Sequence, residues 1–161
     1  MIAIVLMRSV ATVALALVAA GCTKSSSSGT CGGGGPICYD VPSGFTQKGE
    51  PVKRPDLYTI AFVDEGKAKV EFIARDLDGF DGRWRALQGN ARLAKAADAK
   101  EEDFADGKGK LLTYTTPEAE PRFIVATMLR GAKKSMECVG EYRTSAPKKG
   151  VVDACRSIRE P

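Results

Sequence analysis

The chain contains no histidine and a single tryptophan among its 161 residues. Without histidine, the commonest general base, the commonest metal ligand and the usual switch near neutral pH are all missing. Serine nucleophiles therefore lack their ordinary base, and a zinc site would need thiolates and carboxylates alone. A strong excess of one charge is missing too: 24 Lys and Arg face 20 Asp and Glu, for a net charge of +4. The two signs are interspersed, the pattern of a solvated surface. Basic residues are not interleaved with aromatics, which argues against nucleic-acid binding. No internal repeat is visible, and no C-x-x-C pair is present.

What is present begins at the N-terminus. Val10 to Ala20 is apolar except for Thr12, Arg8 stands just before it, and Ala19, Ala20 and Gly21 lead into Cys22. A positive start, an apolar middle and small residues at the end make a secretory leader. The run is shorter than the roughly 20 residues that span a bilayer. Met1 to Met7 is itself apolar, so a start at Met7 gives the more regular charged leader.

The segment Ala19-Ala20-Gly21-Cys22 resembles the lipobox of bacterial lipoproteins. That resemblance implies removal of residues 1–21, acylation of the Cys22 thiol and attachment to the membrane through acyl chains. Ala19 departs from the pattern, which usually has Leu there. A single acyl chain binds only marginally, whereas two or three anchor firmly. Thr23 stands where Asp retains Gram-negative lipoproteins at the inner membrane, so the expected location is the outer membrane, facing periplasm or cell surface. The competing reading is an ordinary secretory peptide with Cys22 as a plain disulfide cysteine.

Residues 22–36 hold a run of serines, four consecutive glycines and Pro36. Nothing in them buries apolar surface, so they are expected to form a disordered tether of about 20 Å mean span. The glycines lack the preceding strand and the Gly-Lys-Ser ending of a phosphate loop.

Setting Cys22 aside, Cys31, Cys38, Cys138 and Cys155 form an even set, which in an exported chain favours disulfides. Three pairings are open. Met136, Cys138 and Tyr142 alternate on one face of a candidate strand, and Val151, Cys155 and Ile158 form a helical stripe. Packing that stripe on that face favours Cys138–Cys155 with Cys31–Cys38. The first bridge would contribute about 3 kcal/mol in the chain-entropy model.

Residues 37–161 are expected to form one α+β domain, an antiparallel sheet of about five or six strands with helices packed against it. Strands are predicted over 38–41, 57–63, 69–74, 111–115, 123–129 and 135–143 from alternating or continuous apolar residues. Phe80, Trp84, Leu87 and Ala91 recur at helical spacing and predict a helix through about Ala97, with Gly82 and Gly89 as points where it can break. A closing helix is predicted over 148–159. Residues 45–56 and 98–109 read as loops.

The opening Cys38-Tyr39-Asp40-Val41-Pro42-Ser43-Gly44-Phe45 and the ending Ala154-Cys155-Arg156-Ser157-Ile158-Arg159 resemble those of PsbP-type α/β sandwich domains, a fold shared by LpqN-like and DcrB-like lipoproteins. The resemblance implies an antiparallel sheet flanked by helices and a non-enzymatic role; fold alone does not set function.

Three constellations invite chemistry. Asp76, Asp78 and Asp81 could hold Ca²⁺, but an EF-hand counted from Asp76 would need Gly and Glu where Asp81 and Leu87 stand. A solvated turn, with Asp81 as N-cap of the following helix, is the expectation. Glu101, Glu102 and Asp103 would need a carboxyl in an apolar pocket for acid/base work, and they sit in a polar stretch. Lys133 and Lys134 make a basic hairpin tip, read as solvated, with anionic headgroups as the alternative. No cofactor is expected. The functional expectation is a membrane-anchored, non-enzymatic interaction module with an envelope protein as partner. The alternative is a binder of a lipid or other apolar ligand between sheet and helix, with Trp84 as candidate ligand contact.

Overall fold

The computed structural model describes residues 30–31, 35–143 and 149–161. The leader, Cys22 and most of the expected tether lie outside those residues. The order is β1 (Thr30–Cys31), β2 (Cys38–Tyr39), β3 (Thr46–Gln47), β4 (Val52–Lys53), β5 (Leu57–Asp64), β6 (Ala68–Asp76), α1 (Phe80–Leu93), β7 (Lys100–Phe104), β8 (Gly109–Thr115), β9 (Phe123–Arg130), β10 (Lys134–Tyr142) and α2 (Lys149–Arg156).

Eight strands form one antiparallel sheet in the order β3-β5-β6-β10-β9-β8-β7, with β4 beside β3 on the same edge of β5. The class is α+β, as the residue pattern predicts, but the strand count exceeds the expected five or six. The additional strands are β3, β4 and β7, inside the stretches read as loops. All three are edge strands and bury little, so they lack the alternating apolar signature. The edge of the sheet supplies their backbone pairing instead. The residues 38–41 strand is shorter than expected and stands outside the main sheet. It pairs with β1 and, through Cys38 and Arg159, with the C-terminal segment (Cys38 N–H to Arg159 O 2.8 Å). β1 and β2 are thus joined both by backbone pairing and by the Cys31–Cys38 disulfide.

Strand alternation sends side chains to both faces. One face carries Tyr58, Ile60 and Phe62 of β5, Val70 and Phe72 of β6, Met136 and Cys138 of β10, and Val125 and Leu129 of β9. Over it lie α2, through Val151, Ala154 and Cys155, and the β2 segment, through Ile37 and Tyr39. The Tyr39 ring stacks on Phe72 with centroids 4.1 Å apart. Disulfides join Cys31 to Cys38 and Cys138 to Cys155. The second one clips α2 to β10. Thr127, fully buried, donates its hydroxyl to the Cys155 carbonyl at 3.0 Å and satisfies one of the unpaired groups at the end of α2. Gly140 lets α2 seat closely: a Cβ there would overlap Val151 and come within 2.7 Å of Val125.

The opposite face carries Leu112, Tyr114, Ala126 and Met128, covered by Phe80, Trp84, Leu87 and Ala91 of α1. The sheet is therefore the middle of three layers. α1 runs unbroken through Gly82 and Gly89 and stops at Leu93 rather than Ala97. Burying its apolar stripe outweighs the roughly 1 kcal/mol that each glycine costs relative to Ala. Its N-cap is Gly79 in the left-handed region (φ 87°), not Asp81. Asp81 sits inside the first turn instead, where a carboxylate still favours the helix dipole.

Candidate interaction face

A helix is about 10 Å across and strands lie about 4.8 Å apart, so one helix covers roughly two strands. The sheet is seven strand positions wide. On the α1 side the helix rests on β8 and β9. No other described helix lies on this side, so β5, β6 and the near half of β10 have no helix over them, although Ile73 and Glu137 on that side are buried.

The register defines what that strip presents, because directly opposed residues point to the same side. One row runs Val52, Thr59, Ile73, Glu137. The next runs Ala61, Glu71, Val139, and a third Val63, Lys69, Glu141. Thr59, Ala61, Val63 and Val139 are half-buried. Val52 is 46 % exposed, one of two large hydrophobic residues exposed among the described residues; the other is Leu93 of α1.

At the border between strip and helix stands Glu137, buried on β10. Arg83 of α1 grips it with two groups: Nη2 donates to Oε1 at 2.7 Å, and Nε to Oε2 at 3.1 Å. That hydrogen bond holds the Arg83 guanidinium above its ordinary pKa, against the opposing effect of burial. Arg75 of β6 approaches from the strip side, with Nε 3.9 Å from Oε2. Two guanidiniums thus share one buried carboxylate. Both arginine side chains keep about two-fifths of their surface in solvent (44 % for Arg75, 41 % for Arg83). Elsewhere on the strip Lys69 pairs with Glu71 and Glu141 with Arg122, each at 2.8 Å, and Arg122 also has Glu118 at 3.9 Å.

Sequence reading singled out neither Glu137 nor the two arginines. The available signal is a carboxylate inside the Ser135–Arg143 strand, whose neighbours Met136 and Cys138 are core residues. A charge in such a position requires a partner.

The residues that were singled out do not converge. Asp76 pairs with Lys134, and Asp81 with Arg130 at 3.3 Å. Among the described residues no group of three metal-ligating side chains forms. Residues 100–104 are strand rather than loop, and alternation splits their carboxylates. Glu101 meets Gln88 on the α1 side, Glu102 meets Arg156 of α2, and Asp103 meets Lys110 at 3.0 Å. Trp84 is 7 % exposed within the α1 core. Lys133 is exposed on its hairpin, while Lys134 is half-buried beside Asp76.

Surface depressions lie at the ends of the strands. One of about 430 Å³ sits at the β5–β6 turn beside Lys48, Lys67, Glu65 and Arg143. Another of about 580 Å³ lies between the β8–β9 hairpin and the C-terminal segment, beside Lys108, Arg130 and Glu160. Among the described residues no helix is long and apolar enough to cross a membrane. No family model matches the chain, and no curated protein matches it.

Proposed function

We propose that this chain is a membrane-anchored envelope lipoprotein, tethered through acyl chains on Cys22, whose domain works as a non-enzymatic interaction module. The observation that supports it best is the strip of sheet with no helix over it, where half-buried Thr59, Ala61, Val63 and Val139 stand among paired charges and Val52 is exposed at the rim. The leader pattern ending at Cys22 supports the anchor. Two disulfides fit an oxidising compartment. The carboxylates weighed for catalysis are each engaged with a separate partner, an arrangement that favours surface structure over acid/base chemistry.

The apolar-ligand alternative receives less support. The space between the sheet and α2 is occupied by Ile37, Tyr39, Phe72, Met136 and Val151, all at most 1 % exposed. Such close packing leaves little room for a lipid tail.

Two measurements test the proposal in the native host. Intact mass of the membrane-extracted protein should equal residues 22–161, less four hydrogens for two disulfides, plus the mass of the acyl-bearing lipid group on Cys22. A full-length, unacylated mass would reject the anchor. A photoreactive residue at Ala61, in the full chain, should yield a discrete protein adduct on illumination of intact cells. The same probe at Asp153, exposed on α2, should yield none. Silence at Ala61 would reject the strip as a docking face.

A further inference from the structure

The border of the strip carries more positive charge than it can neutralise. We infer that Arg75, steadied by the buried Glu137–Arg83 pair, receives a carboxylate from the protein that docks on the strip. The occupant is thus a protein presenting an apolar patch with an Asp or Glu at its edge. This rests on reading the strip as the docking face, and it adds the chemistry of the partner.

The argument is one of charge and geometry. Arg83 donates to both Glu137 oxygens through Nε and Nη2, so the single carboxylate charge is already matched by the Arg83 guanidinium. Arg75 is left at 3.9 Å, beyond hydrogen-bond distance, with no closer anion among the described residues. Its neighbours do not relieve it. Glu71 is taken by Lys69, and Asp76, next in the chain, by Lys134. Two guanidiniums against one carboxylate leave one positive charge in the row Leu57, Arg75, Ser135, the row next to that of Thr59 and Ile73. A planar guanidinium with free terminal nitrogens is matched by a carboxylate, which can accept two parallel N–H bonds. Docking would remove water from this spot, so an uncompensated Arg75 would oppose association and a matched one would select its partner.

The buried pair explains why the charge is presented at this place. Glu137 is buried on β10, and without Arg83 of α1 its carboxylate would keep only Arg75, at 3.9 Å. The local field is therefore preset before any partner arrives. Arg75 acts as a specificity-determining residue, and Arg83 and Glu137 as positioning residues.

The test uses the full chain in native membranes. In Arg75→Lys, a water-soluble carbodiimide can join the introduced amine to an adjacent carboxylate by forming an amide. The expected result is an adduct linking position 75 to an Asp or Glu of a second protein. Wild type should give no link at position 75, since a guanidinium does not react. Arg75→Glu should reduce the Ala61 photoadduct at least tenfold, while Arg75→Lys retains it. An Ala61 adduct that persists in Arg75→Glu would overturn carboxylate recognition and leave the docking face standing. A link from position 75 only to Glu137 of the same chain, or an Ala61 adduct to lipid, would overturn the inference as well. Circular dichroism of each variant guards against simple misfolding, and Arg75 is exposed enough for substitution to be tolerated.

Discussion

Two kinds of glycine in this chain respond oppositely to an added methyl group. At Gly140 a Cβ would drive into Val151 of α2 and against Val125 of β9, both core residues. Gly140→Ala is expected to destabilise the domain by about 1–3 kcal/mol, the ordinary cost of overpacking. At Gly82 and Gly89 no heavy atom lies within 4 Å of an added Cβ. Each Gly→Ala change there should stabilise by about 0.8–1 kcal/mol through helix propensity alone. Urea unfolding of the three single variants checks both signs. A neutral Gly140→Ala would mean that α2 does not sit against β10 as described. The distinction was invisible in sequence, since glycine in a strand and glycine in a helix are both merely unfavourable by propensity. Glu137 went unread for the same reason: its partner Arg83 lies 54 positions away and on another element.

The elements differ in how openly they hold their crosslinks. Cys31 is exposed and its strand is two residues long, whereas Cys138 and Cys155 are fully buried between β10 and α2. Exchange requires access of the attacking thiolate to sulfur. Limited dithiothreitol at mildly alkaline pH, followed by alkylation and peptide mass analysis, should label Cys31 and Cys38 first. Labels on Cys138 and Cys155 should follow only on unfolding. The reverse order would show α2 opening before the N-terminal hairpin. The candidate pairing could be reasoned from local periodicity because Cys138 and Cys155 each fall on the apolar stripe of their element. The short strands β3, β4 and β7 could not, because an edge strand can form through backbone pairing without a buried face. Their residues consequently look like polar loop. β7 carries Glu101, Glu102 and Asp103 in succession, charges that also discourage pairing with another sheet.

At the scale of the whole molecule, the absence of histidine and the placement of tyrosine set the pH response. All four tyrosines, Tyr39, Tyr58, Tyr114 and Tyr142, have pKa values raised, in each case chiefly by burial. Tyr39 is pushed up to about 12. In the unfolded chain these phenols ionise near the ordinary value of about 10. Above that pH the unfolded state binds fewer protons than the native one, so stability falls as pH rises from about 10 towards 12. Absorbance at 295 nm should show phenolate appearing at higher pH in the native protein than in the urea-unfolded chain. Urea midpoints should decline over the same window while staying nearly level between pH 6 and 9. Native phenolate at the unfolded pH would contradict the burial of Tyr39 against Phe72. At the acid end the sign is opposite. The Thr115 backbone N–H, 2.9 Å from Asp98, lowers that carboxyl. Its small contribution is present above the unfolded carboxyl pKa and is lost as pH falls through the native value.

Sequence alone determined the α+β class, the five long strands, the existence of both helices and the lack of histidine-based chemistry. Each of these follows from residue type or from period-2 and period-3.6 spacing within a short window. Tertiary structure decided that the two helices lie on opposite faces of the sheet, that α1 covers only part of its face, and that Arg75, Arg83 and Glu137 meet at the uncovered border. Those outcomes depend on strand order and on contacts between residues far apart in the chain. Local spacing carries no record of which strand will lie beside which, or of how many strands a single helix is wide enough to cover.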